Sequence, residues 1–307
     1  MIQSCLVDSN IIIDGDALGG GGIAINGGYV WINDSNISNN VVGNNLYSLN
    51  GGGGILCGFS FDNELLEFEI NNSTIKNNIA NIGAGIGALS GILKIEKSLI
   101  INNSGDYGSA ISLGEPLGLA INEIRMEIIN STIANNSGLL GVGLINSAQM
   151  NAINSIFWNN GTTEFSSLPN NDQLNVFLNF SNSQEEMSGN GNINVDPLFS
   201  NIVDFDYTLT PLSPCIDAGT YDIDLDGNQD IFEFSGLSPD MGAFEYNECP
   251  STIGDINEDG QINILDIIIN ANCILANSCN DCSDLNNDGQ TNILDIITLI
   301  NIILNFF

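Results

Sequence analysis

Polar and apolar residues in the first half of the chain alternate over short stretches, and the stretches recur. Five segments share one pattern, NDSNISNN, NNSTIKNN, EKSLIINN, INSTIANN and INSIFWNN, with their serines at Ser35, Ser73, Ser98, Ser131 and Ser155. Upstream of each lies a small-residue apolar strand centred on Ile23, Ile55, Ile86, Ile111 and Leu144. From serine to the next strand the spacing settles at 13 residues for three consecutive repeats, while strand to serine varies between 11 and 20. One edge of the repeat is constant and the other carries insertions. Short strands, Gly/Asn turns and a period of about 25 to 38 residues predict a solenoid rather than a closed sandwich.

Aligning the repeats on their serines tests this, because coils stacked on one another must place like over like. Three positions before the serine stand Ile32, Ile70, Ile95, Ile128 and Ala152, and five before it Val30, Phe68, Leu93, Met126 and Met150. Both columns point inward by strand alternation. Two positions after the serine, Ile37, Ile75, Ile100, Ile133 and Phe157 form a third interior column, followed by paired asparagines from Asn39/Asn40 to Asn159/Asn160. Stacked amides of this kind can hydrogen-bond along the axis and satisfy the turns.

With this register, residues 1–161 resemble the right-handed parallel β-helix of the pectate-lyase-like superfamily. The stretches NGNINVDPLF, DYTLTPLSPCIDAG and PDMGAFEY within 188–246 resemble the segment that ends many bacterial surface β-helices. The same coil carries lyases, hydrolases, epimerases and adhesins, so the resemblance implies architecture and leaves the chemistry open.

A different periodicity occupies the C-terminus. Two twelve-residue loops, Asp255 to Asp266 (DINEDGQINILD) and Asp284 to Asp295 (DLNNDGQTNILD), differ at three positions, and each runs into a stretch that is apolar around a helical face. Asp255, Asn257 and Asp259, and Asp284, Asn286 and Asp288, offer short oxygen ligands at positions 1, 3 and 5. Gly260 and Gly289 make the turn, Gln261 and Gln290 offer a backbone carbonyl, Asn263 and Asn292 a direct or water-bridged oxygen, and Asp266 and Asp295 the closing carboxylate. This is calcium-loop spacing with Asp in place of the usual final Glu. A loop followed by one helix, twice, resembles the type I dockerin module over about residues 250–307. The resemblance implies two calcium ions, a cohesin-like or cell-envelope partner, and recognition by Ile264/Leu265 and Ile293/Leu294. The module departs from the usual pattern in having no Lys or Arg and in its cysteines. A third stretch, Asp222, Asp224, Asp226, Gly227, Asp230 and Glu233, fits the loop spacing with Glu at position 12 and no helix after it, and is a candidate for a third calcium ion or a polar turn.

Composition narrows the partners. Lys and Arg number 4 against 37 Asp and Glu, a formal charge of −33, which disfavours nucleic acid and anionic lipid surfaces. No stretch predicts membrane insertion. The absence of histidine excludes Ser-His-Asp and Cys-His catalysis and His-ligated metals. Cys249, Cys273, Cys279 and Cys282 cluster around the calcium loops; disulfides of unsettled connectivity are favoured over a zinc site, as befits an oxidising exterior. The first residues show no export signal and enter mid-repeat, the expectation for a fragment shortened at its N-terminus.

Candidate chemistry lies on the outward positions of the serine-anchored strands, which read Trp31, Glu69, Lys94, Glu127, Asn151 and, two residues earlier, Tyr29, Glu67, Ile92, Arg125, Gln149. Arg125 and Lys94 are the candidate bases for a lyase, with Glu69 and Glu127 beside them; a salt-bridge ladder that fixes register is the simpler reading. Glu64, Glu67 and Glu69 share one strand and give no two-walled cleft for glycoside hydrolysis. The expectation is therefore a β-helix over 1–248, including the end segment 188–246, followed by an all-α calcium module over 249–307. It is a secreted or cell-surface, polysaccharide-associated or adhesive protein held by a calcium-dependent docking module, with a docked polysaccharide lyase or glycoside hydrolase as the alternative.

Overall fold

In the computed structural model, residues 1–12, 20–43, 51–58, 66–114, 124–145, 148–168, 175–246 and 253–305 are described, except 258, 277, 278, 280, 287 and 289. Two compact units result, Met1–Glu245 and Tyr246–Phe307.

The first unit is a parallel β-helix, because successive coils add one short strand at a time to three sheets. One seven-stranded sheet runs from Ile2–Gln3 through Tyr29–Asn33, Glu67–Asn71, Gly91–Glu96, Ile124–Ile129 and Gln149–Ile153 to Val176–Asn179. The second, also of seven strands, runs from Leu6–Asp8 to Asn182–Ser183, and the third, of six, from Ile23–Ile25 to Thr163–Leu168. All neighbours in these sheets pair in parallel. The inward columns stack as alternation demands: Ile32, Ile70, Ile95, Ile128 and Ala152 are direct partners, as are Ile37, Ile75, Ile100, Ile133 and Phe157. They form one continuous apolar core along the axis.

Two sequence expectations change. The coils number seven in these sheets rather than five, since Ile2 pairs with Ile32 before the first recognised repeat and Val176 with Met150 after the last. Leu144 is not the partner of Ile111; Val142 is, and Leu144 pairs with Leu113. A slip of two residues preserves which side chains face inward, so hydrophobic pattern alone does not distinguish the two registers.

The paired asparagines divide their work. The first of each pair, Asn39, Asn77, Asn102, Asn135 and Asn159, turns the corner in the left-handed region, with φ from 54° to 58°, where Asn is tolerated better than most residues. The second is buried. Asn40 donates its amide to Asn78 Oδ1 at 2.9 Å, Asn78 to Asn103 at 3.0 Å, Asn103 to Asn136 at 2.9 Å and Asn136 to Asn160 at 2.7 Å. Each oxygen also accepts the backbone N–H of the previous asparagine, and each amide reaches a carbonyl of the preceding coil. Every polar atom of the inner ladder residues is thus satisfied. The ladder ends on the buried Glu164, to which Asn160 donates. Burial lifts the Glu164 carboxyl to about 7, opposed by the Asn160 hydrogen bonds and reinforced by the Glu185 carboxylate.

Residues 199–243 fold back over the outside of the second sheet. Tyr207, 1% exposed, packs on Leu99, Ile101 and Ala134 and accepts a 2.8 Å bond from Asn135. Further along, Asn154 donates to the Thr220 carbonyl at 2.7 Å and Ala243 N–H to Thr132 Oγ1 at 3.0 Å.

In the second unit two helices, α1 (Ile264–Ala276) and α2 (Ile293–Asn305), pack against each other, with Leu299 wholly buried. Cys273 and Cys279 form a disulfide, and Cys282 is disulfide-bonded too. Cys249 lies outside the described residues. Cys5, Cys57 and Cys215 are free thiols. Among the described residues no helix is long and apolar enough to cross a membrane.

Candidate metal centres and docking surface

In the first C-terminal loop, Asp255 accepts the backbone N–H groups of Asp259 and Gly260 at 3.1 and 2.9 Å, Asn257 Oδ1 accepts Asp259 N–H at 3.1 Å, and Asp259 accepts Gln261 N–H at 2.8 Å. Gly260 stands at φ 81°, the turn a side chain would resist. The second loop repeats this: Asp284 and Asn286 accept Asp288 N–H at 3.2 and 2.9 Å, and Asp288 accepts Gln290 N–H at 2.9 Å. Gly289 lies outside the described residues.

Asp266 and Asp295, both 0% exposed, close the loops. Asp266 takes Asn257 N–H on one oxygen and Asn263 N–H on the other, at 3.1 and 2.8 Å. Asp295 does the same with Asn286 and Asn292, at 3.2 and 2.7 Å. Asn263 and Asn292 in turn cap the helices, accepting Leu265 and Leu294 N–H at 2.8 and 2.9 Å. Each Asn/Asp pair is therefore a reciprocal cap, which is why α1 and α2 begin where the loops end. The donors fit a hard divalent cation: all are oxygens, two of the carboxylates are wholly buried, and residues 246–307 contain no Lys or Arg to neutralise them.

The two Ile-Leu pairs to which the dockerin resemblance assigns recognition stand at the helix starts. Ile264, Leu265, Ile293 and Leu294 are 67%, 51%, 61% and 50% exposed. Ile268, Ile269, Ile297 and Ile300, not singled out by the sequence pattern, are exposed as well and widen the apolar surface; they follow by helical periodicity from the first pair.

At 222–233 the backbone repeats the loop pattern, with Asp222 accepting Asp226 and Gly227 N–H at 3.0 and 2.8 Å and Asp224 accepting Asp226 N–H at 3.2 Å. The oxygens of Asp222, Asp224 and Asp226 lie within 4.8 Å of one another, the single such group of acidic side chains among the described residues. The hydrogen bond from Asp226 N–H lowers the Asp224 carboxyl, but desolvation and the neighbouring carboxylates outweigh it and push it up. Asp230 accepts Ile223 N–H at 2.9 Å. Glu233 is exposed and joins neither the trio nor a hydrogen bond among the described residues.

On the first sheet Glu69, Lys94, Glu127 and Asn151 are direct neighbours. Lys94 pairs with Glu96 of its own strand at 2.9 Å, so the salt bridge runs along the strand. Arg125 stands between Ile92 and Gln149 on the same open face. Glu64 lies outside the described residues. The column continues one coil further to Phe177; the signal was Ser181, whose hydroxyl accepts Ser155 N–H at 3.1 Å as the earlier serines do.

The C-terminal unit is therefore a pair of oxygen-rich loops, each capping a helix that begins with exposed apolar residues. Residues 253–304 match the dockerin type I domain. Domains of this type bind calcium and dock on cohesin partners, so the match implies cohesin-mediated assembly into a cellulosome-like complex. No curated protein and no solved structure matches the chain.

Proposed function

We propose that this chain is an extracellular or cell-surface β-helix, polysaccharide-associated or adhesive, held through its C-terminal unit on a cohesin receptor. Two calcium ions, one held by Asp255, Asn257, Asp259, Gln261, Asn263 and Asp266 and the other by Asp284, Asn286, Asp288, Gln290, Asn292 and Asp295, set the helices in place for docking. The observation that carries this reading is the duplicated loop with an exposed Ile-Leu pair at each helix start. Half-exposed apolar pairs on a small acidic unit are stabilised by covering them with a partner. Changing Ile264, Leu265, Ile293 and Leu294 together to Asp leaves the buried core of α1 and α2 intact. Capture of the full chain on an immobilised cohesin in calcium should then be lost, and wild-type capture should be abolished by a chelator. Undiminished capture of the variant would place docking elsewhere.

A further inference from the structure

The outward face of the first sheet carries aromatic residues at both ends. Tyr29 and Trp31, 62% and 42% exposed, stand side by side with ring centres 6.4 Å apart and planes 21° from parallel. Phe177, 51% exposed, occupies the Trp31 column five strands on, through Glu69, Lys94, Glu127 and Asn151. At the spacing of neighbouring strands the two ends lie about 24 Å apart. At the Phe177 end Ile223, Asp224 and Leu225 rise beside the sheet and convert the flat face into a cleft of about 420 Å³, with Glu127, Asn151 and Phe177 on the facing wall. That volume falls within the roughly 300–1,000 Å³ of small-ligand clefts.

From this arrangement we infer that the face is a binding track for an uncharged polysaccharide, running along the β-helix axis from the Tyr29/Trp31 pair to the Phe177 cleft. It rests on the polysaccharide-associated reading above and names the class of polymer. Exposed aromatic rings supply flat apolar platforms for the C–H faces of sugar rings, and the carboxylates and amides between them accept and donate to hydroxyls. Charge decides against a sugar-acid polymer. Four carboxylates on the face, Glu67, Glu69, Glu96 and Glu127, outnumber the two cations, Lys94 is already paired with Glu96, and the chain as a whole carries −33. A polyanion laid along this track meets net repulsion.

The test titrates the full chain, in calcium, with cellohexaose, xylohexaose and hexagalacturonate, following tryptophan fluorescence and heat of binding. A neutral hexasaccharide is expected to bind and shift Trp31 emission, with hexagalacturonate not bound even at low salt. Trp31→Ala and Phe177→Ala should each weaken binding roughly three- to tenfold, with unchanged circular dichroism because both side chains are exposed. Binding of hexagalacturonate in preference to the neutral sugars, or undiminished binding by both variants, overturns the track while the polysaccharide-associated reading stands. Binding of none of the three removes both.

Discussion

Replacing Glu164 with Gln should stabilise the β-helix by roughly 2.5 kcal/mol more at pH 8 than at pH 5. Glu164 is 3% exposed, at the end of the asparagine ladder. Burial is the main reason its carboxyl rises from the ordinary 4.5 to about 7. Between those two values the folded protein keeps a proton that the unfolded chain has released, so stability is greatest below pH 4.5, falls as the pH climbs, and levels off above about 7. At about 1.4 kcal/mol for each factor of ten in affinity, the full loss is roughly 3 kcal/mol, most of it between pH 5 and 8. Glutamine stays neutral and offers the same carbonyl oxygen to the Asn160 amide, while its NH2 meets the Asn160 N–H that the carboxyl accepts at 3.4 Å, a cost that does not change with pH. Glu245, raised to about 7 chiefly by burial with help from Asp240, titrates over the same range in both proteins, so their difference isolates Glu164. Urea unfolding followed by tryptophan fluorescence reads the β-helix unit alone, because Trp31 and Trp158 are the chain's two tryptophans and both lie in it. Parallel loss of stability in wild type and variant from pH 5 to 8 would refute the coupling of this proton to folding.

Two further outcomes follow from the same contacts. Asn103→Ala, in the middle of the ladder, strips Asn78 of the acceptor for both its backbone and side-chain N–H groups and should cost about 3 kcal/mol or more in the same urea assay; a loss below about 1 kcal/mol would mean that water or a shifted neighbour replaces it. Adding a chelator to the full chain should remove the helical circular dichroism of α1 and α2, because Asp255, Asp266 and Asp295 are buried carboxylates whose repulsion the cation relieves, while tryptophan fluorescence stays constant. Helical signal that survives chelation would show that the caps and the disulfide suffice.

Much of the coil was legible in the sequence because a parallel β-helix repeats its environment. Each inward column demands the same kind of residue, and in five of the coils the S-x-x-x-N-N corner supplies one left-handed asparagine and one buried ladder asparagine, as at Asn102 and Asn103. The calcium loops were legible for a related reason: ligands, turn glycine and helix cap all fall within twelve successive residues, so local spacing determines local geometry. What the sequence could not determine depends on contacts between distant residues. The pairing of Ile111 with Val142 rather than Leu144 is a choice between registers of equal polarity, settled by how the whole coil closes. That Asn160 would hand the ladder on to Glu164, or that Asp224 would come to face Glu127 and Phe177 across a cleft, is written in no local pattern. Burial raises a carboxyl, and a loop becomes a wall, only where tertiary packing takes water away and brings a second surface near.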